Sequence, residues 1–175
     1  MTSIKKSGKL QPSEHAVFLC NKKTNLSSTG LTEKEIAFAK TQIDKNEKQN
    51  EVINQLSRIV IIQTAESKKQ KYLTNENWRK AGANLVPVCN EFKIPQIAVV
   101  DLLNDGEATL AFAEGLALGN YQFLRYKNKP EKEINSLKTI LLSSKKVKDK
   151  DLEHLQILEE AVSKTRTLVN EPVSF

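Results

Sequence analysis

The hydrophobic positions of this chain form short apolar runs that alternate with longer stretches of helical periodicity. Four runs have the length and the aliphatic content of strands: His15 to Cys20, Arg58 to Ile62, Gln96 to Leu103 and Leu137 to Leu142. A shorter β-rich pair, Val52-Ile53, precedes the second run. Because the run Arg58 to Ile62 is unbroken, it predicts a strand that is buried on both faces of a largely parallel sheet.

Four stretches follow the helical period: Glu33 to Lys48, Thr74 to Phe92, Asp105 to Gly119 and Asp151 to Val169. Pro87 lies inside the second stretch, where it should bend the helix or start its last turns anew. In the fourth, one apolar face is predicted to carry Leu152, Leu155, Leu158 or Ile157, Val162, Thr165 and Val169. Strands and helices that alternate with short links predict an α/β fold with right-handed crossovers.

Residues that favour helix termini mark three of the predicted starts. Thr32 and Glu35 form the capping-box pattern ahead of the first helix, and Asn104 and Glu107 form the same pattern ahead of the third. Thr74 is the predicted cap of the second helix.

The stretch from Asp105 to Lys127 combines two unusual features. Small side chains recur at steps of three and four residues, at Ala108, Ala111, Gly115 and Gly119. A stripe of this kind allows another backbone to come close, so we expect a buried helix. Aromatic residues then follow among polar ones, at Tyr121, Phe123 and Tyr126. They form either a staple on a neighbouring element or a stacking surface.

Composition and charge describe a protein with one substantial core. The chain has 175 residues, 27% of them charged and 39% hydrophobic. Formal net charge is +6, but the lysines lie in short runs between apolar segments, which favours solvated loops over a nucleic-acid surface. No secretory signal or membrane-spanning run is apparent, so we expect a cytoplasmic protein without a membrane partner. Cys20 and Cys89 are expected to be buried small hydrophobic residues.

A search for catalytic or ligand-binding patterns predicts no site residues: no catalytic, no cofactor-binding and no metal-binding residue. His15 and His154 have no partner at ligand spacing. The acidic cluster Asp101, Asp105 and Glu107 suggests a calcium loop, but Leu103 and Phe112 occupy positions that need oxygen ligands. No glycine-rich phosphate loop follows a strand.

Two segments carry a family resemblance. Ala113 to Lys127 resembles the end of the amino-terminal domain of the leucyl (cytosol) aminopeptidases, the M17 metallopeptidases, where a Glu-Gly helix leads into a Tyr-x-Phe-x-x-Tyr-Lys segment. Ala161 to Pro172 is similar to the Arg-x-Leu-Val-Asn-x-Pro stretch that leads into the catalytic domain of that family. Their order and spacing match, Asn77 to Gly82 also fits, and the resemblance spans most of Thr74 to Phe175.

The resemblance implies a three-layer α/β fold with a mixed, mostly parallel sheet flanked by helices, similar to macro domains. It also implies a parent enzyme that removes amino-terminal residues from peptides with two divalent metals, manganese or zinc, and that assembles as a homo-oligomer, a hexamer in the family. The metal ligands of the family lie in its carboxy-terminal domain. Glu114-Gly115 is followed here by Leu116 where the family signature has arginine, so no catalytic or metal residue carries over.

Residues 1–150 are therefore predicted to form a non-catalytic amino-terminal domain, and residues 151–175 a linker helix that would lead to an absent catalytic domain. The expected role of the amino-terminal domain is in assembly and in access to the active sites. The alternative is a stand-alone macro-like module that binds nucleotide or nucleic acid through Arg125, Lys127, Tyr121 and Tyr126.

Overall fold

A computed structural model describes residues 2–8, 10–45 and 49–172. These residues contain six strands: β1 (Ser3–Lys6), β2 (Ala16–Leu19), β3 (Asn50–Asn54), β4 (Ile59–Gln63), β5 (Gln96–Asp101) and β6 (Thr139–Ser143). They also contain five α-helices: α1 (Glu33–Lys45), α2 (Lys71–Ala83), α3 (Val86–Glu91), α4 (Gly106–Gly119) and α5 (Asp149–Asn170). Short 3-10 helices occur at Ser27–Thr29 and Pro130–Lys132.

The strands form one sheet in the order β1-β6-β5-β2-β4-β3. All neighbouring pairs are parallel except β3 and β4, which are antiparallel. The sheet is therefore mixed and mostly parallel, as predicted, with its single antiparallel pair at one edge.

Alternating residues of the central strands supply two hydrophobic cores, one on each face of the sheet. Val17, Leu19, Ile59, Ile61, Ile97 and Val99 belong to the core that contains residues of α2, α3, α4 and α5. Ala16, Phe18, Val60, Ile62 and Ala98 belong to the core that contains residues of α1. Because both sides of each strand are covered by helices, the strands appear in the sequence as continuous apolar runs. The predicted three-layer α/β architecture is confirmed.

The capping box that was predicted for α1 is present. The backbone N–H of Thr32 donates to Glu35 Oε2 at 2.7 Å, and the backbone N–H of Glu35 donates to Thr32 Oγ1 at 3.4 Å. This reciprocal pair satisfies donors that the first helical turn leaves unused. The predicted end of the helix at Lys48 lies outside the described residues.

The predicted start of α2 is wrong by one turn. The helix begins at Lys71 after Gln70, and Thr74 lies within its first turn. There Thr74 Oγ1 accepts from the backbone N–H of Lys68 at 2.9 Å, so this side chain fixes the preceding loop and does not cap the helix. Pro87 acts as predicted: it lies in the first turn of a new helix, α3, where its missing N–H has no helical partner to lose.

The cap of α4 lies one residue later than predicted. Asp105, not Asn104, accepts the backbone N–H of Ala108, at 3.2 Å. Asn104 instead has a φ of 56°, a left-handed conformation that asparagine tolerates better than most residues. Glu107 does not reach back to the cap but accepts from Asn75 Nδ2 at 3.2 Å.

Strand β1 was not predicted, because Ile4 is its only apolar residue. It pairs in parallel with β6 at the sheet edge. Helix α5 holds it from the side, since the backbone N–H of Ile4 donates to Gln156 Oε1 at 3.0 Å and Lys6 Nζ lies 2.7 Å from Asp149 Oδ1. Tertiary contacts thus impose a strand on a segment whose own sequence signal is weak.

Helices α2 and α4 pack with their backbones in close contact. A Cβ at Gly115 would lie 1.8 Å from the carbonyl oxygen of Arg79, and a Cβ at Gly82 would lie 2.1 Å from that of Phe112. A Cβ at Gly119 would lie 2.9 Å from Ala83 Cα. Real Cβ atoms do not approach backbone atoms so closely, so glycine is required where these helices cross. The predicted role of the small-residue stripe is confirmed.

Gly115→Ala is expected to destabilise the protein by about 3 kcal/mol, because the new methyl group meets backbone that cannot move without separating two helices. Chemical denaturation monitored by circular dichroism measures the change. Gly8→Ala is the matched control, since a Cβ at Gly8 would meet nothing within 4 Å. Equal stability of the two variants would contradict the close-packing interpretation.

Candidate domain-contact surface

The candidate surface lies where the chain leaves α4 and turns back along α5. Asn120 ends α4, and its Nδ2 donates to Thr2 Oγ1 at 2.9 Å and to the carbonyl of Leu137 at 2.8 Å. One amide side chain therefore ties the helix end to the residues that precede β1 and β6. The direction of the following segment, residues 121–127, is fixed from this point.

The aromatic residues after α4 pack against the last turns of α5. Tyr121 Oη lies 3.1 Å from Thr167 Oγ1, and the guanidinium of Arg166 lies 5.6 Å from the Tyr121 ring centroid. Arg166 Nη1 also donates to the carbonyl of Leu118 at 2.7 Å, which satisfies an acceptor at the carboxyl end of α4. Tyr121 therefore belongs to a helix-to-segment contact.

Glu171 is the acceptor at the centre of a second cluster on this segment. It pairs with Arg125 and accepts from Tyr126 Oη at 2.5 Å. The hydrogen bond from Tyr126, and then the pair with Arg125, lower the pKa of Glu171, and the same hydrogen bond raises the pKa of Tyr126. Phe123 and Tyr126 contact each other with ring centroids 5.7 Å apart.

These contacts agree with the staple, one of the two alternatives left open for the aromatic segment. Lys127 is also paired, at 3.0 Å from Glu133 Oε2. The four side chains named for nucleic-acid binding thus all make contacts within the domain, three of them with residues of α5 or with Glu171 directly after it. They do not support a phosphate-binding role.

Helix α5 has two apolar faces, whereas one was predicted. Leu152 and Leu155 belong to the core beside α4 and β6. The opposite face is exposed and carries Ile157 (64% exposed), Leu158 (41%), Leu168 (74%) and Val169 (79%). Ala161 and Thr165, both exposed, lie between these positions on the same face of the helix. We call the six residues the α5 apolar surface.

An apolar stripe of this size on a helix indicates a contact that the described residues do not supply. Isolated exposed hydrophobic residues need no explanation, but contiguous ones mark interaction sites. The prediction of a single apolar face was wrong, because it combined residues from the two faces of α5. Leu155 points into the core, whereas Thr165 and Val169 lie on the exposed face.

The acidic residues near the start of α4 serve the backbone. Asp101 accepts from the N–H groups of Leu103 and Asp105, at 3.0 and 3.2 Å, and from Ser144 Oγ at 2.7 Å. Burial would raise the pKa of Asp105, but the ion pair with Lys71 and the capping hydrogen bond outweigh it, so that this pKa is lowered. Within residues 2–8, 10–45 and 49–172 no group of three His, Cys, Asp or Glu is arranged to hold a metal ion.

His154 is exposed, and the other remaining candidates are structural. His15 Nδ1 accepts from the backbone N–H of Ile59 at 3.0 Å, and burial lowers the pKa of His15. Both cysteines are buried and free, as expected. Burial raises the pKa of Cys20 and of Cys89 to about 12, which disfavours the reactive thiolate.

Sequence reasoning missed two acidic residues of this region. Glu171 was interpreted only as part of the stop after the last helix, although it accepts from both Arg125 and Tyr126. Glu159 is 1% exposed and lies on the inward face of α5, between Leu155 and Ser163 at steps of four residues. Helical periodicity alone would have placed Glu159 inside, so the signal was available.

Comparison with known proteins gives a consistent result. Residues 54–130 match the family model described as the cytosol aminopeptidase family, N-terminal domain. The match includes the aromatic segment but not residues 161–172. Among the described residues, no helix is both long enough and apolar enough to cross a membrane.

Two curated relatives are probable cytosol aminopeptidases of bacteria. One, from Aquifex aeolicus, is 35% identical over 107 residues, which are 59% of this chain and 21% of the relative. The other, from a Sulfurihydrogenibium strain, is 32% identical over 115 residues, 61% of this chain and 22% of the relative. The matched part is thus about a fifth of the length of each relative.

Solved structures show the same fold. A mutant of tomato leucine aminopeptidase superposes with a TM-score of 0.70 at 16% identity, over 98% of this chain and 39% of that chain. The bottromycin maturation enzyme in complex with manganese superposes with a TM-score of 0.60 at 17% identity, over 91% of this chain and 32% of that chain. At such identities the likeness concerns the fold.

Glu171→Gln is expected to lower the pKa of Tyr126 toward that of an ordinary tyrosine, because the acceptor loses its charge. In the wild type, the raised pKa of Tyr126 makes the contact stabilising below the ordinary tyrosine pKa, and the contribution is lost as the pH rises through the raised value. The lowered pKa of Glu171 makes it stabilising above the ordinary glutamate pKa, and the contribution is lost as the pH falls through the lowered value. Ultraviolet titration of the three tyrosines measures the change.

Glu133→Gln is the matched control for this titration, since it also removes one carboxylate charge near this segment, but Glu133 pairs with Lys127. Superimposable titration curves for the wild type and Glu171→Gln would show that Glu171 does not hold Tyr126.

Proposed function

Because this chain carries the amino-terminal domain of the cytosol aminopeptidase family, we propose that it acts as the non-catalytic domain of a two-metal exopeptidase that releases amino-terminal residues from peptides. The observation that carries this proposal is the α5 apolar surface, which lies on the helix that would lead into a catalytic domain. A helix with both faces apolar is stable in water only if the second face also finds a partner.

In this proposal residues 1–150 form the domain and residues 151–175 the linker helix, of which 173–175 lie outside the described residues. The first turns of α5 are anchored by Leu152 and Leu155, and Asp151 accepts the backbone N–H of Lys148 at 2.8 Å. The later turns would then present the α5 apolar surface to the catalytic domain or to another subunit. The domain would thereby support a homo-oligomer, a hexamer as in the family, and shape access to the active sites.

In this proposal, the carboxy-terminal domain of the parent enzyme carries out catalysis. Two divalent metals, manganese or zinc, would be bound in that catalytic domain, as the family resemblance implies. The likeness to a manganese-containing enzyme supports this choice of metal for the parent. The proposal also includes a cytoplasmic location and a relationship between this fold and the macro domains.

The alternative, a stand-alone module that binds nucleotide or nucleic acid, has less support. Arg125 and Lys127 have carboxylate partners, and Tyr121 is covered on one side by Arg166. Phosphate binding through this segment would first have to break these contacts.

The 175-residue chain is expected to release no amino acid from leucinamide in the presence of manganese or zinc. A discontinuous assay for free leucine measures this, with an intact cytosol aminopeptidase as the positive control. Turnover above background that increases with the concentration of the chain would overturn the assignment of catalysis to another domain.

The role of the α5 apolar surface is tested in a chimera in which this chain replaces the matching domain of the Aquifex aeolicus relative. Leu168→Asp is expected to shift the chimera toward smaller assemblies or to lower its activity, because a charge would be buried in the proposed contact. Light scattering and peptidase activity measure the outcome.

Lys150→Asp is the matched control in the chimera, since Lys150 is exposed on the same helix and outside the α5 apolar surface. If Leu168→Asp leaves assembly and activity at the level of this control, the surface does not make the proposed contact.

A further inference from the structure

A cleft of about 680 Å³ lies between α5, the segment after α4 and the residues that lead into β6. Thr2, Asn120, Tyr121, Glu159 and Ser163 are among the residues that line it. Its volume lies within the range of small-molecule sites. It is a different feature from the α5 apolar surface, although Leu168 borders both.

Glu159 supplies an unsatisfied carboxylate to this cleft. The residue is 1% exposed, and its Oε1 accepts from Ser163 Oγ at 3.0 Å. Its Oε2 is buried and has no hydrogen-bond partner among the described residues. No described salt bridge involves Glu159 either. A buried carboxylate in this condition is destabilising unless a donor or a cation reaches it.

Asn120 supplies a second acceptor of the same kind. Its Nδ2 is fully used by Thr2 and Leu137, and these two bonds fix the orientation of the amide. Its Oδ1 is then left buried without a partner. Both unsatisfied atoms of the cleft are thus acceptors, so the complementary groups on a ligand must be hydrogen-bond donors, and a cationic donor suits the carboxylate best.

The rest of the lining is mixed, with Gln122, Asn135 and Thr167 as polar members and a larger apolar part. Tyr121, Leu124, Ile134, Leu137 and Leu168 contribute to the apolar part. Lys138 and Lys164 also border it, and each carries a positive charge beside the apolar walls. The cleft therefore combines acceptors, hydrophobic surface and two cations.

We propose that this cleft binds a small organic ammonium compound with an apolar substituent, with Glu159 and Asn120 as acceptors of the ammonium group. The apolar substituent packs against Tyr121, Ile134 and Leu168. Two sources share this chemistry: an amine without a carboxylate, such as a simple amine or an amino acid amide, and a free amino acid whose carboxylate faces Lys138 or Lys164. The proposal does not depend on the aminopeptidase assignment, because it uses only contacts within this chain.

Isothermal titration calorimetry of the purified chain with 3-methylbutylamine, leucinamide and leucine tests the proposal. Saturable binding of at least one of them is expected, whereas 3-methylbutanol, which has the same apolar group and no charge, is expected to bind at least tenfold more weakly. Tighter binding of leucine than of the amine would identify the amino acid as the source, and the reverse order the amine. Equal binding of the alcohol and the amines, or no saturable binding of any amine, would overturn the proposal.

Glu159→Gln is expected to weaken binding at least tenfold, because it replaces the charged acceptor with a neutral amide of the same shape. Glu153→Gln, at an exposed position of the same helix, is the matched control and should bind like the wild type. Undiminished binding to Glu159→Gln would overturn the role of that carboxylate.

A measurement on the wild type keeps the test independent of how well the Glu159 variant folds. Nuclear magnetic resonance with the tightest ligand is expected to shift the side-chain amide of Asn120 and the backbone amides around Ser163. Shifts confined to other parts of the molecule would place the ligand elsewhere and refute the site.

Discussion

The close crossing of α2 and α4 is the constraint on which the rest of this structure depends. Gly82 and Gly115 bring each helix within contact distance of the other's backbone, and Trp78 meets Phe112 edge to face beside this crossing, with centroids 6.3 Å apart. A layer so thin leaves no space for adjustment, because protein interiors transmit small displacements instead of absorbing them. The position of α4 therefore determines where Asn120 stands, and Asn120 in turn determines where the segment 121–127 meets α5.

Much of the architecture could be predicted from the sequence, because each layer of the molecule has its own hydrophobic pattern. The run Arg58 to Ile62 indicates burial on both faces, and β4 supplies Ile61 to one core and Ile62 to the other. The small-residue stripe likewise indicates a close helix contact before any partner is known. Such patterns depend on local composition, so they remain visible without the tertiary structure.

The features that could not be predicted depend on partners far away in the sequence. A capping pattern does not reveal whether Asn104 or Asp105 will adopt the cap conformation, since the choice depends on how Asp101 holds the backbone N–H groups of Leu103 and Asp105, on either side of Asn104. The two faces of α5 look alike in the sequence, because an apolar residue does not reveal which partner it packs against. Only the fold shows that one face contacts the core and the other is exposed. The buried carboxylate of Glu159 is similar: periodicity places it inside, but only the fold shows that one of its oxygens lacks a donor.

Strand β1 is synthesised early but can be paired only late. Ile4 emerges early from the ribosome, but Gln156, which accepts its N–H, lies 152 residues later, and the strand it pairs with, β6, also comes late. Contacts of such separation form slowly, because the intervening chain must first be ordered. During synthesis β1 therefore stays unpaired until β6 has been made, and an unpaired strand is a template for pairing with other chains. The lysines of β1, at Lys5 and Lys6, accordingly give this late-pairing segment a charge that keeps it in solution while it waits.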